Sequence, residues 1–337
     1  MSVRALTLPK PEEGARRLAA LYAPIAAELA EAERVFEAEL ESRFPAVGRL
    51  VSHCARFRGK RLRPALVLLT ARACGAVTPA HPVLAAVVEM IHTATLVHDD
   101  ILDEALIRRH AATVNAEWGN ESAVLMGDYL FTHAFHLAAS LETTLACRWI
   151  GRATNLVCEG ELQQVHNRGN LELDEAAYFE IIRGKTAELT AVSCRLGAHY
   201  AGAPAATVEA MERFGRELGV AFQIADDVLD LLGEERATGK TLGTDLEQGK
   251  LTLPLIRLLA TAAPAVAARV RDLLGSDHAE ARRALRPLLQ TGDALDYAWD
   301  RARDSVATAL AALDTLPDSP AKATLRSLAQ YVVRRAS

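Results

Sequence analysis

The sequence carries two groups of three aspartates, each at the end of an apolar stretch with helical spacing. The first group is Asp99, Asp100 and Asp103, and it follows residues 87–97, which contain no glycine or proline. Because residues four apart lie one above the other on a helix, Asp99 and Asp103 share a face. Three carboxylates within one turn repel one another and destabilise that turn unless a cation lies between them.

A second group repeats this spacing: Asp226, Asp227 and Asp230 follow the apolar residues 221–225. An isolated group of this kind is more often a solvated helix face than a binding site. Both copies, however, follow almost unbroken apolar sequence, which favours a metal site. Carboxylate oxygens suit Mg²⁺, which commonly combines one or two of them with substrate phosphates. The sequence therefore predicts two helices that hold several metal ions between them.

The rest of the chain favours helix. Half of the 337 residues are apolar, which is ample for a large buried core, and the aromatic share is only 5%. Alanine and leucine carry the apolar content, which favours helices over sheets. Helical spacing of apolar residues is found in the first acid-bearing helix and in residues 12–43, 65–74, 122–141, 145–164, 174–201, 205–232, 254–259, 265–275, 279–290, 294–313 and 321–335. Neither strand-like alternation nor a linker is visible, so we predict one all-α domain over residues 1–337.

Two segments interrupt the helical pattern. Residues 110–120 are polar and turn-prone, which predicts an exposed connection. Residues 233–250 contain Gly239, Gly243 and Gly249 and form the longest break in apolar periodicity. A long glycine-containing loop of this kind is typical of an active-site lid.

Bulk properties exclude several classes of protein. The net charge of −5, from 38 basic and 43 acidic side chains, is too mild to indicate a nucleic-acid partner. The longest apolar run, near residues 82–97, is interrupted by Glu89 and His92 and is too short and polar to span a membrane. The N-terminus has no signal-peptide pattern, and the five cysteines lack metal-type or CxxC spacing. We therefore predict a soluble cytoplasmic protein with reduced thiols.

Basic residues accompany the first acid cluster. Lys60, Arg61 and Arg63 precede a predicted helix, and Arg108 and Arg109 follow the acids. The first set could form a solvated turn, and the second could provide counter-charges for the aspartates. An anion site would explain both sets, because guanidinium groups bind phosphate oxygens in a bidentate manner.

Three further features allow two interpretations each. His92 lies on nearly the same helix face as Asp99, although a lone histidine on an apolar helix is more often a core residue. Gly184-Lys185-Thr186 could be a helix interior with one surface lysine, and no Walker-type glycine loop precedes it. Lys240 and Lys250, in the predicted lid, carry no pattern of their own.

Taken together and in order, these blocks resemble the trans-isoprenyl diphosphate synthases. The matching blocks are Gly59-Lys60-Arg61-Leu62-Arg63-Pro64, His92 with Asp99-Asp100-Ile101-Leu102-Asp103 and Arg108-Arg109, Gly184-Lys185-Thr186, Phe222-Gln223-Ile224-Ala225-Asp226-Asp227-Val228-Leu229-Asp230, and residues 239–246 through Lys250. The resemblance implies an all-helical bundle around a deep central cavity, usually a homodimer. It also implies condensation of isopentenyl diphosphate with an allylic diphosphate such as farnesyl diphosphate.

The resemblance assigns a role to each candidate residue. Asp99, Asp103 and Asp226 look like ligands of three Mg²⁺ ions, with Asp100, Asp227 and Asp230 supporting them and Asp230 counted with the metal site. Arg108, Lys185, Lys240 and Lys250 would bind the allylic diphosphate. Lys60, Arg63, His92 and Arg109 look like the pocket for isopentenyl diphosphate. Thr186 and Gln223 resemble residues that flank the developing carbocation.

Product length is expected to depend on residues upstream of Asp99. Thr95 and Ala94 are small, and Ile91, deeper on the same face, is not aromatic. Family members with short products commonly have an aromatic residue at this place or an insertion in the first acid motif, and this sequence has neither. We therefore predict a long chain of about seven to eight isoprene units, a precursor of a quinone side chain.

Three alternatives remain open. The first keeps the fold and stops at geranylgeranyl diphosphate. A terpene cyclase would need no second diphosphate pocket, so Lys60, Arg63 and His92 argue against it. A non-catalytic partner subunit should have lost carboxylates, and this chain keeps both acid clusters.

Overall fold

The described part of the chain is almost entirely helical, as the apolar periodicity predicts. The computed structural model describes residues 18–55, 59–109, 111–232, 243–275 and 278–334. The helices are α1 (Ala26–Glu39), α2 (Pro45–Cys54), α3 (Leu62–Cys74), α4 (Ala80–Leu102), α5 (Val114–Ala139), α6 (Leu145–His166), α7 (Glu175–Ile182), α8 (Glu188–Tyr200), α9 (Ala205–Leu232), α10 (Thr244–Glu247), α11 (Leu253–Thr261), α12 (Pro264–Leu274), α13 (His278–Thr291), α14 (Ala294–Ala312) and α15 (Pro320–Arg334). Two-residue strands β1 (Ile107–Arg108) and β2 (Ala111–Ala112) form an antiparallel hairpin. The predicted all-α class is confirmed.

Helix α4, which carries the first acid cluster, lies in the core. It packs against α5 and also against α1, α3 and α8. Its length and composition would allow it to cross a membrane, the one such helix in the described part of the chain, but 72% of its most apolar window is buried inside the protein. Burial on nearly all sides is what a core helix requires.

Helix α9, which carries the second acid cluster, connects two groups of buried apolar residues. Its first half, with Phe214, belongs to the group built around α3, α4, α5 and α8. Its second half, with Val228, belongs to the group built with α7, α11, α13 and α14. Gly215 and Gly219 lie so close to the α8 side that an added side chain would collide with the Thr190 carbonyl or with Ala187. The two glycines therefore allow close helix packing.

Local structure differs from the sequence-based prediction at several places, among them α10, which lies within the predicted loop 233–250. Helix α2 was not predicted. Most of the predicted exposed connection at residues 110–120 is instead the start of α5, because Thr113 caps that helix by accepting a bond from Ala116 N at 3.3 Å. The predicted continuous helix over residues 174–201 is divided by one π-helical turn, Arg183–Ala187.

Candidate active site

The first acid cluster lies at the C-terminal end of α4, and cations from other segments hold two of its carboxylates. Arg108 donates to Asp100 Oδ1 from Nε and from Nη2, each at 2.7 Å. Asp100 Oδ2 is buried without a hydrogen-bond partner. Asp103 Oδ1 accepts a bond of 2.9 Å from Arg168 Nη2 and lies 3.6 Å from Lys250 Nζ.

Asp99 is the third member of this cluster. Burial raises the pKa of its carboxyl to about 6, and Glu161 and Asp103 act in the same direction against the opposing charge of Lys185. A carboxylate in this environment is stabilised by any further cation placed beside it.

Residues of the second acid cluster accept hydrogen bonds that fix the side chains next to them. Asp227 is buried and accepts two bonds, from Tyr178 Oη to Oδ2 at 2.6 Å and from Gln223 Nε2 to Oδ1 at 2.7 Å. Gln223 Oε1 in turn accepts a bond of 2.7 Å from the Thr186 hydroxyl. Thr186 and Gln223, which the family resemblance assigns to the flank of the carbocation, are thus oriented by one continuous hydrogen-bond network that ends at Tyr178.

Asp230 anchors the segment that follows the undescribed residues 233–242. Its Oδ1 accepts from Gly243 N at 3.1 Å and from Thr244 Oγ1 at 3.2 Å, and its Oδ2 accepts from Asp245 N at 3.2 Å. Gly243 adopts φ +85°, a conformation that glycine adopts without steric cost. This arrangement brings the Asp245 carboxyl next to the cluster.

Two lysines connect the acid clusters. Lys250 Nζ lies 3.6 Å from Asp103 Oδ1 and 4.0 Å from Asp245 Oδ1. Burial raises the pKa of Asp245 to about 7, as does the charge of Asp230, while Lys250 and Lys185 oppose the rise. Acids carried by α4 and acids associated with α9 therefore lie around the same ammonium groups.

Lys185 belongs to the π turn between α7 and α8. Burial disfavours its charged form, but the carboxylates of Asp99 and Glu161 outweigh burial and raise its pKa. Its Nζ lies 2.5 Å from Glu161 Oε2. Gly160 packs directly on this turn, since a side chain there would collide with the backbone of Lys185 and Gly184. π-Helical turns are frequent at functional sites, and this one aims Lys185 at the first acid cluster.

A second group of cations surrounds His92, which also lies on α4. Burial and the charges of Arg63, Arg109 and Arg108 lower the pKa of His92 far below its ordinary value, so its imidazole is neutral at pH 7. Burial, together with the charge of Arg109, lowers the pKa of Arg63 to about 10, which leaves it charged. The structure thus brings His92, Arg63 and Arg109 together.

Glu89 and Gly59 complete this group. Glu89 is held among Arg61, Arg63 and Arg109, whose charges oppose the rise in its pKa caused by burial. Gly59 lies against the Arg109 guanidinium, which would have to move to admit a side chain at this position. Lys60, next to Gly59, is exposed.

The remaining predicted residues are Lys240 and those assigned to product length. Lys240 lies outside the described residues. Ala94 and Ile91 are completely buried, whereas Thr95 is partly accessible and donates to the His92 carbonyl at 2.8 Å. Of the three residues assigned to product length, Thr95 is therefore the one with accessible surface.

Sequence reasoning missed five residues at this site. They are Glu89, Glu161, Arg168, Tyr178 and Asp245. Asp245 lies within a block that supported the family resemblance, so that block could have pointed to it. Arg168 and Tyr178 stand 65 and 49 positions from the aspartates they contact, and nothing in their local sequence marks them.

The donor set fits a hard divalent ion that binds together with a ligand. Among the described residues, no group of three acidic, histidine or cysteine side chains could hold a metal ion unaided. Mg²⁺ usually takes only one or two carboxylates and completes its shell with water and phosphate oxygens. The oxygen-only donors and the unpaired Asp100 Oδ2 fit that mode of binding.

The fold and this geometry define a class of protein: an all-α enzyme whose facing acid clusters and adjoining cations suit phosphorylated substrates. The model of the polyprenyl synthetase family matches residues 45–290. The chain belongs to the polyprenyl synthetase family and is a prenyl-transferring enzyme. The resemblance to the trans-isoprenyl diphosphate synthases is thereby confirmed.

Individual relatives agree with the family match. The octaprenyl diphosphate synthase of Haemophilus influenzae is 40% identical over 299 residues, which cover 88% of this chain and 91% of the relative. A decaprenyl diphosphate synthase from Rhodobacter capsulatus has a TM-score of 0.90 and 36% identity, covering 95% of this chain and 99% of that one. A polyprenyl synthase from Caulobacter crescentus, complexed with calcium and isoprenyl diphosphate, has a TM-score of 0.88 and 36% identity and covers both chains fully.

Proposed function

We propose that this enzyme adds isopentenyl diphosphate head to tail to an allylic diphosphate such as farnesyl diphosphate. The product that we propose is an all-trans polyprenyl diphosphate of about seven to eight isoprene units, the length named for an octaprenyl diphosphate synthase and a heptaprenyl diphosphate synthase component among the relatives. Other relatives are named for nonaprenyl and decaprenyl products. The observation that carries this proposal is that Lys185 and Lys250 lie beside carboxylates of the first acid cluster and also beside Asp245. Asp245 is in turn bonded through its backbone N–H to Asp230 of the second cluster, and a further cation group surrounds His92.

The allylic diphosphate is bound between the acid clusters. Three Mg²⁺ ions, held by Asp99, Asp103, Asp226 and Asp230 with phosphate oxygens, would supply Lewis-acid stabilisation of the departing diphosphate. Arg108, Lys185, Lys240 and Lys250 add fixed positive charge where negative charge develops. A relative bound to calcium and isoprenyl diphosphate supports this arrangement.

Asp100 and Asp227 have supporting roles. Asp100 fixes the Arg108 guanidinium through two contacts, so that this cation is preorganised for phosphate. Asp227 fixes Gln223, and Gln223 fixes Thr186, beside the carbocation. The dipoles of these two side chains and the surrounding apolar residues protect the cation from water.

Isopentenyl diphosphate is bound by Lys60, Arg63, His92 and Arg109. Arg63 and Arg109 supply charge, and neutral His92 supplies one N–H donor without adding repulsion. The double bond of isopentenyl diphosphate then attacks the allylic carbocation. Loss of one proton restores an allylic product that is five carbons longer.

We also propose an oligomeric state and a cellular location for the enzyme. We infer a homodimer, supported by the exposed apolar side chains of Val124 (44%) and Leu125 (68%) on α5. All five cysteines are free, which supports a reducing, cytoplasmic environment. A quinone side chain is the use that we propose for the product.

One incubation distinguishes this function from its rivals. Purified protein with Mg²⁺, farnesyl diphosphate and labelled isopentenyl diphosphate should yield labelled products that extend to seven or eight isoprene units. A ladder ending at geranylgeranyl diphosphate would indicate the shorter synthase. Diphosphate release without label incorporation would indicate a cyclase, and absence of turnover would indicate a partner subunit. The cation group at Arg63 and His92 and the two complete acid clusters favour the first result.

A further inference from the structure

Arg168 contacts the first acid cluster from a segment without a functional assignment. It lies two residues beyond the end of α6, and its guanidinium reaches the C-terminal end of α4. Nη2 donates to Asp103 Oδ1 at 2.9 Å, and Nη1 donates to the Leu102 carbonyl at 3.2 Å. The last carbonyls of a helix lack intrahelical partners and favour a cation, so both contacts suit this position.

Gly169, the residue after Arg168, links this segment to the one that carries Lys250. Gly169 N donates to the Gly249 carbonyl at 2.8 Å. Gly249 has φ +65°, and a side chain there would lie 3.0 Å from Gly169 N, so close backbone approach depends on glycine. Residue Lys250 follows directly, and its ammonium group lies 3.6 Å from the same Asp103 Oδ1.

We propose that Arg168 is a positioning residue that orients the Asp103 carboxylate for binding Mg²⁺ together with the substrate diphosphate. This inference depends on the proposed function. A planar guanidinium with two acceptors, one of them in the main chain, restricts the rotation of the carboxylate that it contacts. The contacts of Asp103 with Arg168 and with Lys250 both involve Oδ1. A carboxylate has lone pairs on both oxygens, so these contacts leave Oδ2 for a metal ion.

The alternative role for Arg168 is competition with the metal for Asp103. The second bond, to the Leu102 carbonyl, argues against competition because it anchors the guanidinium independently of the carboxylate. Hydrogen-bonded partners of metal ligands typically contribute about 10–100-fold to metal affinity. Arg168 is therefore expected to strengthen metal binding.

The test is calorimetric titration of Mg²⁺ into the full-length enzyme in the presence of saturating inorganic diphosphate. Arg168→Gln should weaken Mg²⁺ binding by roughly 10-fold or more. Arg168→Lys keeps the charge but cannot bridge both acceptors, so it should restore only part of the affinity. Arg303→Gln is the matched control, since Arg303 pairs with Asp300 on the surface of α14. The KM for isopentenyl diphosphate should stay unchanged in all three variants.

The results distinguish a positioning role of Arg168 from competition with the metal. Equal or tighter Mg²⁺ binding by Arg168→Gln would overturn it, and tighter binding would identify Arg168 as a competitor. Should that variant fail to fold, the lysine variant decides, because wild-type affinity there contradicts the positioning role. Wild-type protein that neither binds Mg²⁺ with diphosphate nor incorporates isopentenyl units would instead refute the proposed function.

Discussion

At the scale of single residues, hydrogen bonds to the Asp227 carboxylate fix the side chains around it. Tyr178 donates a bond of 2.6 Å to Asp227 from a fully buried position, and Asp227 directs Gln223 towards Thr186. Burial and the adjacent Asp227 carboxylate raise the Tyr178 pKa well above its ordinary value. Tyr178 therefore remains a hydrogen-bond donor throughout the physiological pH range.

Replacing Tyr178 by phenylalanine tests this network. Tyr178→Phe leaves one buried carboxylate oxygen without its donor, which should cost about 1–3 kcal/mol of unfolding free energy. The kcat should fall because Gln223 and Thr186 lose their fixed orientation, while the KM for isopentenyl diphosphate stays unchanged. Thermal unfolding and steady-state kinetics measure the two effects. Tyr297→Phe, which removes a comparable bond to Glu175, is the control and should leave kcat unchanged; equal kinetics for both variants would contradict the network.

A substitution at Gly59 tests whether Arg109 contributes to binding isopentenyl diphosphate. In Gly59→Ala the new methyl group would displace the Arg109 guanidinium, so the KM for isopentenyl diphosphate should rise by roughly 10-fold, equivalent to the loss of a charge-assisted hydrogen bond. The affinity for Mg²⁺ should not change. Gly48→Ala is the matched control, because no atom lies near its Cβ position and alanine favours helix. An unchanged KM in Gly59→Ala would show that Arg109 does not bind that substrate.

At the scale of secondary structure, the sequence predicted helices well and their interruptions poorly. The bounds 205–232 agree with α9, α14 ends one residue before its predicted end, and α15 begins one residue before its predicted start. The π turn at Arg183–Ala187 was missed because a single inserted residue in a helix has no compositional signature. The start of α5 was missed because the residues after the Thr113 cap include Asn115, Gly119 and Asn120, which are typical of loops, and Gly119 has a non-helical φ of +82°.

Helix α4 also bears on product length. Thr95→Phe should shorten the product, because Thr95 has accessible surface along the helix that carries Asp99. Ala94→Phe should also shorten it if the tail passes this place, but Ala94 is fully buried and the added ring should destabilise the core by about 1–3 kcal/mol. Chromatography of the product ladder is the measurement, with Thr95→Val as the shape-matched control. A Thr95→Phe enzyme with the wild-type ladder would place the tail elsewhere.

At the scale of the whole molecule, the class of fold was predictable and the site was predictable in part. Apolar periodicity and composition sufficed for an all-α chain. The aspartates, Arg63, His92 and Lys185 were recognisable because each belongs to a local block. Arg168, Tyr178 and Glu161 reach the site only through helix packing, so their roles are absent from local sequence. The single-domain organisation over residues 1–337 stays a prediction.

The central claim is that both acid clusters act on one diphosphate. Binding of farnesyl thiodiphosphate, an analogue that does not ionise readily, should be measured by calorimetry with and without Mg²⁺ in wild type, Asp99→Asn, Asp226→Asn and the double variant. Each single variant should lose Mg²⁺-dependent affinity by at least roughly 100-fold, because removing a proposed ligand should cost no less than removing a hydrogen-bonded partner of a ligand. The double variant should lose far less than the product of the two losses, because both carboxylates serve one site. Two results would contradict the claim: wild-type affinity in either single variant, or a loss in the double variant that equals the product of the two single losses.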